Sequence, residues 1–276
     1  MKIAIITTLL VIGVIALLLF LFRQNFSNQS TTVIVSPTAK LLTPTPTLKV
    51  IKPSASPTPQ TFATKKKQYS IALIGDSYID TMGENMEYLD KALSKRYPAT
   101  KFTLYNYGIG AQNVEMVSER FESSFTNREK NYPPIPSINA DIIILGSCAY
   151  NPFDPHDRDR HYKGLIQLIE KAKATGAQVY VLREIAPLKE DFGKGPHGIN
   201  ISAQAAAEHS QRITEQLENA KNAASATGVE LIDAYAPSLS QGEGYRPYVN
   251  ADDGIHPSVM GHTFMANLIA RTLLLQ

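Results

Sequence analysis

Cysteine is scarce throughout this sequence, and acidic residues are missing from its first quarter. Cys148 is the only cysteine among the 276 residues, so an intrachain disulfide is excluded; this is compatible with export but does not demonstrate it. No Asp or Glu occurs between residues 1 and 74, although basic residues recur there, and this asymmetry marks a segment of a different kind. The net charge of only +2 gives no general case for nucleic-acid binding.

Residues 1–26 contain an almost unbroken apolar run from Ile3 to Phe22. A helix of that length spans about 30 Å, the thickness of a bilayer core. The end of the run carries no small-residue cleavage site, so an uncleaved anchor is favoured over a cleaved signal peptide. Lys2 and Arg23 flank the run on opposite sides, so the positive-inside count barely decides the orientation. We therefore expect a single-pass cell-membrane anchor through residues 3–22.

Residues 27–67 are rich in proline, threonine and serine, as in the stretch SPTAKLLTPTPTLKV. Repeated prolines remove backbone donors and favour extended conformations, so we predict a semi-stiff linker and not a folded unit. A linker beside a membrane anchor holds a domain away from the lipid, and this composition suits a cell surface better than the cytoplasm. The remaining domain is therefore expected on the extracytoplasmic side.

Residues 68–276 alternate apolar runs with helix-like stretches, the pattern of an α/β domain. The predicted strands cover Tyr69–Ile74, Phe102–Tyr107, Asp141–Leu145, Gln178–Leu182 and Glu230–Ile232. The predicted helices cover Met82–Arg96, Val114–Phe125, Asp159–Thr175, Ala203–Thr227 and Ser258–Leu275. Short β-branched runs suit buried parallel strands, so we predict a three-layer α/β/α sandwich around a five-stranded parallel sheet. In such sheets the active site forms at the carboxyl ends of the strands.

Two short motifs at the ends of this domain carry candidate chemistry. The first predicted strand leads into Gly75-Asp76-Ser77, which places a hydroxyl at the sheet edge but alone is also a common turn and helix cap. Near the C terminus, Asp253 and His256 are three residues apart in DDGIHPS. That spacing lets the carboxylate hold one imidazole nitrogen while the other faces Ser77. An N-cap aspartate beside a surface histidine explains the second motif, taken alone, equally well.

Taken together, IALIGDS and DGIHPSVMGH resemble the two ends of the SGNH hydrolase superfamily, also called GDSL esterases and lipases. The resemblance covers residues 67–276 and agrees in order, spacing and strand context. It implies a flavodoxin-like fold with Ser77, Asp253 and His256 as a catalytic triad. The chemistry that it implies uses an ester substrate and needs no metal or organic cofactor.

The oxyanion-hole blocks of that family are matched less closely. The resemblance assigns one backbone N–H to Ser77 and a second to Ala111 or, with a shift of one residue, to Gly110. The family usually carries Gly-x-Asn-Asp after its third strand, whereas the sequence GSC here puts Cys148 at the position of the asparagine. The nearest amide is that of Asn151, and we expect a longer loop to swing it into the hole. Loss of such a donor typically costs about 10²–10³ in rate.

Three neighbouring features have weaker functional interpretations. Cys148 has no assignable base, and burial as a small hydrophobic residue is the commoner fate of a lone cysteine. The stretch PHDRDRH at residues 155–161 suggests a metal site, but its basic residues favour a charged helix start. Arg183 and Glu184 follow the fourth predicted strand, so the topology places them on the side of the active site.

The resemblance implies a serine esterase, and what such relatives do at cell surfaces suggests O-acetyl groups of surface carbohydrate, or lipid esters, as substrates. Deacetylation is preferred because no long apolar lid segment is visible. An O-acyltransferase with the same triad is an alternative, although a single membrane helix offers no route for importing an acyl donor. A non-catalytic glycan-binding module on the same fold is a further alternative, motivated by the altered third block.

Overall fold

The structure, a computed structural model, describes residues 63–275. The anchor predicted for residues 1–26 lies outside the described residues, as does the greater part of the linker predicted for residues 27–67. Residues 64–67 lead directly into the first strand. Among the helices of this described part, none is both long enough and apolar enough to cross a membrane.

Strands and helices alternate along the chain, as the apolar runs predict. In chain order the strands are β1 (Gln68–Gly75), β2 (Lys101–Gly108), β3 (Phe125–Asn127), β4 (Lys130–Tyr132), β5 (Ile142–Gly146), β6 (Gln178–Arg183), β7 (Glu230–Asp233), β8 (Leu239–Ser240) and β9 (Glu243–Gly244). The helices are α1 (Ser77–Asp80), α2 (Glu87–Arg96), α3 (Val114–Glu119), α4 (Arg158–Ala174), α5 (Ala203–Thr227) and α6 (Val259–Thr272). The predicted α/β class is confirmed, and β1, β2, β5, β6 and β7 match the predicted strands to within a residue at either end.

The central sheet has five parallel strands in the order β2-β1-β5-β6-β7. β1 pairs with β2 from Gln68 to Gly75 and with β5 from Ile71 to Ile74. The chain leaves β1 toward β2 on one side and then crosses over to β5 on the other. A crevice therefore opens between the carboxyl ends of β1 and β5, where open parallel sheets bind their ligands.

Helices cover both faces of the sheet and complete the three layers. Alternate residues of a strand point to opposite faces, so Ile71 and Leu73 enter one core and Ala72 and Ile74 the other. The first lies against α2 and α6 and is called the α2/α6 core; the second lies against α3 and α4 and is called the α3/α4 core. All four of these β1 side chains are fully buried. A register slip of one residue would exchange the two sets, so the cores fix how β1 presents its carboxyl end.

The helix predicted for Val114–Phe125 ends earlier, as α3, and its predicted end is wrong. Phe125 instead starts β3, where its ring stacks on that of Tyr132 in β4 with centroids 4.7 Å apart. Arg128 and Glu129 have left-handed φ angles of 47° and 64°, as a two-residue type I′ hairpin turn requires. Pairing with Tyr132 across this turn therefore overrides the helical pattern.

The helix predicted for Met82–Arg96 begins later, at Glu87, and a separate short helix, α1, precedes it. Gly83 and Met86 adopt left-handed φ angles of 79° and 43°. Such angles are incompatible with a continuous right-handed helix, so the chain turns sharply between α1 and α2. The turn keeps α1 short and leaves it at the end of β1.

Candidate active site

The turn from β1 into α1 places Ser77 at the crevice. Asp76 caps α1, with its Oδ1 accepting the N–H of Tyr78 at 3.0 Å. Ser77 is the first residue of the helix, so its own N–H has no helical carbonyl to bond to. A Cβ on Gly75 would lie 2.7 Å from Cγ1 of Ile79, which is why this tight strand-to-helix turn needs a glycine.

The loop before α6 brings Asp253 and His256 together. His256 Nδ1 and Asp253 Oδ2 are 2.8 Å apart, while Oδ1 of the same carboxylate accepts the N–H groups of Ile255 at 2.7 Å and His256 at 3.0 Å. Burial opposes ionisation of Asp253, but these hydrogen bonds outweigh it and hold its pKa below the usual value. The carboxylate therefore stays charged and orients the imidazole with Nδ1 protonated, leaving Nε2 available as a base.

Tyr78 links this loop to α1. Its hydroxyl donates to the carbonyl oxygen of Ile255 at 2.7 Å, and its ring centroid lies 6.2 Å from that of His256. Tyr78 is fully buried, and burial raises the pKa of its hydroxyl well above the usual value, so the donor keeps its proton. Tyr78, the residue after Ser77, thus sets the position of the loop that carries His256 relative to Ser77.

Ser77 and His256 line one cleft of about 670 Å³. Within residues 63–275 no hydrogen bond joins the Ser77 hydroxyl to His256. Such contacts are often long in unliganded enzymes and tighten when substrate binds. The cleft is also lined by Gly110, Ala111 and Asn151, so the structure brings all six predicted site residues to one place, Asp253 through its bond to His256.

The loop after β2 lies against Ser77. A Cβ on Gly110 would lie 3.9 Å from Cβ of Ser77, and Ala111 follows with a left-handed φ of 59°. A Cβ on Gly108 would come within 2.1 Å of the backbone nitrogen of Asp80, so a glycine is required where β2 passes α1. This close approach puts Gly110 beside Ser77, and Ala111 lines the same cleft.

Asn151 reaches the same cleft from the loop after β5. Its amide nitrogen donates to Oδ2 of Asp76 at 2.9 Å. A side-chain amide has two N–H groups, so one remains for another acceptor. The pKa of the buried Asp76 is raised by burial, an effect that the bonds from Tyr78 and Asn151 partly offset.

Cys148, at the asparagine position of the family pattern, is fully buried in the α3/α4 core. Burial raises the pKa of its thiol well above the usual value, and the nearby charges of Asp76 and Glu184 raise it further. A thiol in that state is a poor nucleophile. Cys148 is therefore a packing residue, as its lack of an assignable base suggests.

The two histidines of the PHDRDRH stretch form hydrogen bonds with other parts of the domain. His156 pairs with Glu215 at 2.9 Å, and Asp157 caps α4. His161 is buried, which lowers its pKa to about 4, so its neutral ring donates from Nε2 to the carbonyl oxygen of Ser147 at 2.9 Å. Among the described residues, no three His, Cys, Asp or Glu side chains are grouped to hold a metal ion.

Two further residues near the cleft are not among the six predicted site residues, although the topology places one of them, Glu184, on the side of the active site. Arg128, at the tip of the β3–β4 hairpin, lies on its rim and binds Asp80 through both terminal nitrogens, at 3.0 and 2.8 Å. Glu184 is buried near Asp76 and accepts the N–H of Ser147 at 2.8 Å. A basic residue in a turn carries no recognisable signal, whereas an acid directly after a buried strand does suggest a site.

Comparison with known proteins identifies one family and several similar folds. The model of the GDSL-like lipase/acylhydrolase family matches residues 73–264. No curated protein matches the chain. The solved lipase/acylhydrolase from Enterococcus faecalis is 17% identical, with a TM-score of 0.53 over 74% of this chain and 94% of that one.

Two solved acetyl xylan esterases are also similar. The enzyme AlAXEase is 18% identical, with a TM-score of 0.54 over 74% of this chain and 100% of that one. A catalytic mutant of the acetylxylan esterase from Geobacillus stearothermophilus is 17% identical, with a TM-score of 0.53 over 74% of this chain and 93% of that one. At these identities the likeness shows a shared fold.

Proposed function

This chain belongs to the GDSL-like lipase/acylhydrolase family and is a carboxylic ester hydrolase, and on that premise we propose that Ser77, His256 and Asp253 are its catalytic triad. The observation that carries the proposal is the shared cleft of Ser77 and His256, with Asp253 2.8 Å from the far nitrogen of the imidazole. The roles of these residues follow from their chemistry and positions.

The reaction proceeds through an acyl-enzyme. Ser77 Oγ attacks the ester carbonyl while His256 Nε2 takes the hydroxyl proton, and Asp253 stabilises the imidazolium that forms. Collapse of the tetrahedral intermediate breaks the ester bond, and His256 gives its proton to the leaving alcohol. Water then attacks the acyl-enzyme with the same base, which releases the acid and restores Ser77.

The developing oxyanion is held by three donors in this proposal. The backbone N–H of Ser77 and that of Ala111 or Gly110 supply two of them. The third is the amide of Asn151, whose other N–H is engaged by Asp76. Donors held in advance at the site of developing charge stabilise the transition state without reorganisation during the reaction.

We propose O-acetyl groups of surface carbohydrate as the substrate. The names of two structural neighbours, both acetyl xylan esterases, support this choice. The cleft also offers hydrogen-bonding side chains suited to sugar hydroxyls, among them Thr81, Asn113 and the Arg128–Asp80 pair. Lipid esters are the second candidate, and transfer to a glycan hydroxyl is the alternative outcome for the acyl-enzyme.

The proposed setting is the outer face of a cell membrane, with the domain carried by an anchor at residues 3–22 and a linker at residues 27–67. The apolar length of the first segment and the proline content of the second support this arrangement. Cell fractionation tests it: the full chain should sediment with membranes, and a chain lacking residues 1–26 should not. External protease should cleave the domain from intact cells, and protection of the domain would contradict the proposed side.

The esterase is tested with the full chain in mild detergent, measuring acetate release from p-nitrophenyl acetate and acetylated xylan. Ser77→Ala should abolish turnover and labelling by a fluorophosphonate, while Ser123→Ala, an exposed serine outside the cleft, should change neither. Equal rates for wild type and Ser77→Ala would overturn the triad. If the fluorophosphonate does not label the wild-type protein but the protein still binds glycan, a non-catalytic binding module is favoured. If an added glycan acceptor becomes acetylated, a transferase is favoured.

A further inference from the structure

The loop that carries Asn151 has an irregular backbone. It follows β5, and Cys148 within it has a left-handed φ of 56°. Non-glycine residues keep such angles only when their surroundings hold them there, at a typical cost of about 1–3 kcal/mol. The position of Asn151 therefore depends on what fastens residues 147–151.

Glu184, the first residue after β6, fastens the start of this loop. Its Oε1 accepts the N–H of Ser147 at 2.8 Å, and its Oε2 forms a short hydrogen bond with the Ser147 hydroxyl. The same hydroxyl accepts the N–H of Ala149 at 3.2 Å. A Cβ on Gly146 would lie only 3.1 Å from Glu184 Oε1, so the glycine lets the carboxyl group approach the strand end.

Two further hydrogen bonds hold residues 147–151 in place. His161 donates to the Ser147 carbonyl at 2.9 Å, and the Tyr150 hydroxyl donates to the carbonyl of Ile185 at 2.8 Å. Glu184 is 1% exposed and is the side chain that binds both the N–H and the hydroxyl of Ser147. Loss of Glu184 would leave two buried donors of the loop without an acceptor, which the loop can relieve only by moving.

We propose that Glu184 is a positioning residue for the esterase reaction, which holds the loop 147–151 so that the Asn151 amide faces the oxyanion at Ser77. This inference rests on the proposed function. It supplies a physical reason why an amide three residues beyond the usual position can serve: the loop is fixed from β6, next to β5 in the sheet.

The charges around Glu184 give the proposal a pH signature. The groups facing it are the Asp76 carboxylate from the β1–α1 turn, the Cys148 thiol and the hydroxyls of Tyr78 and Tyr150, while Arg120 lies near Asp76 and Cys148. Burial, and then the charge of Asp76, raise the pKa of Glu184 to about 8. Above that pH Glu184 ionises. The bonds from Ser147 favour this charged form, but we expect repulsion between Glu184 and Asp76, which binds Asn151, to displace the Asn151 amide.

The test is a mutant cycle on the full chain in detergent with p-nitrophenyl acetate. Glu184→Leu should lower kcat by about 10²–10³, as loss of an oxyanion donor does, with KM changed less than about twofold. Asn151→Ala should cost a similar factor, and the double variant little more than either, because Glu184 acts through Asn151. Glu184→Gln should recover most of the rate and should lack the decline of wild-type kcat above pH about 8.

Gln216→Leu is the matched control. Gln216 is a fully buried polar side chain of α5 whose amide has no hydrogen-bond partner among the described residues, and its replacement should leave kcat unchanged. Should Glu184→Leu fail to fold, Ser147→Ala replaces it and should lower kcat without raising KM.

The outcomes separate the two proposals. Full activity of Glu184→Leu, or additive losses in the double variant, would overturn the positioning role and leave the triad intact. Full activity of Asn151→Ala would also overturn it, by removing the donor that Glu184 is said to place. Failure of the proposed function would appear differently: the Ser77→Ala variant would keep its activity. None of the outcomes above has that signature.

Discussion

The hydroxyl of Tyr78 offers a direct test of how Ser77 and the loop that carries Asp253 and His256 are aligned. Tyr78→Phe removes only the hydroxyl group, which donates to the carbonyl of Ile255 at 2.7 Å and also interacts with the hydroxyl of Tyr150. The carbonyl is then left without that partner, so we expect the free energy of unfolding to fall by about 1–3 kcal/mol. In a domain of this size each kcal/mol lowers Tm by roughly 2–4 °C.

Activity should fall for a separate reason. The lost bond ties the loop of Asp253 and His256 to α1, the helix that begins with Ser77. A shift of about 1 Å between reacting groups can cost on the order of 10²-fold in rate. Because the Asp253–His256 pair itself is untouched, we expect a smaller loss, roughly 10-fold in kcat with little change in KM.

Tyr69→Phe is the matched control. Tyr69 is also buried, and its hydroxyl donates to the carbonyl of Leu275 at 2.9 Å, but it lies at the opposite end of β1 from Ser77. Urea unfolding should show similar losses of stability for the two variants, while p-nitrophenyl acetate turnover should fall only for Tyr78→Phe. Two results would refute the role of Tyr78 in alignment. One is a Tyr78→Phe variant that is destabilised but keeps the wild-type kcat, and the other is an equal loss of kcat in both variants.

Three further predictions concern the triad, the buried acid and the cysteine. Asp253→Asn should lower kcat by about 10⁴, as expected when the imidazole loses its orienting carboxylate, and a loss under tenfold in steady-state assays would contradict its triad role. Native Glu184 keeps its proton up to pH about 8, whereas the unfolded chain loses it near the ordinary value of 4.5. The contribution of Glu184 to the free energy of unfolding is therefore full below pH 4.5 and falls as the pH rises from 4.5 to about 8, by up to about 1.4 kcal/mol per pH unit. Glutamine cannot ionise, so Glu184→Gln should become progressively more stable than wild type across this pH range in urea titrations. A constant difference between the two proteins at all pH values would show that Glu184 is not protonated in the native state. Cys148 should resist iodoacetamide in the native protein and react once urea unfolds it, and modification of the native thiol at the unfolded rate would contradict its burial.

The local sequence predicts the strands and motifs whose conformation is determined by neighbouring residues along the chain. Strands buried on both faces must be apolar along their length, which is why β1 and β5 appear as continuous runs. Ser77 and the Asp253–His256 pair are placed by the turns in which they lie, so short motifs suffice to find them. Their roles as a triad remain a prediction that the mutants above examine.

The hairpin β3–β4 could not be predicted because its cause is not local. Its turn residues, Arg128 and Glu129, are not the Asn-Gly or Asp-Gly pairs that usually announce a type I′ turn. Phe125 leaves the helical pattern because it packs on Tyr132 and edge-on against Tyr107, 6.1 Å away in β2. Such contacts join residues of different strands, so the local sequence pattern does not reveal them.

Asn151 shows most clearly how long-range packing creates a site that a motif does not announce. The loop after β5 crosses the carboxyl end of the sheet, and its side chains divide between the two cores. Cys148 enters the α3/α4 core, whereas Ala149 and Tyr150 enter the α2/α6 core, where the ring of Tyr150 lies 4.0 Å from that of Tyr78. With the chain held from both faces, the next residue, Asn151, emerges at the crevice and meets Asp76. If Asn151 is the oxyanion donor as proposed, the left-handed turn at Cys148 explains how an amide three residues further along the sequence reaches the same edge of the sheet, where the two cores and the bonds of Glu184 hold the loop.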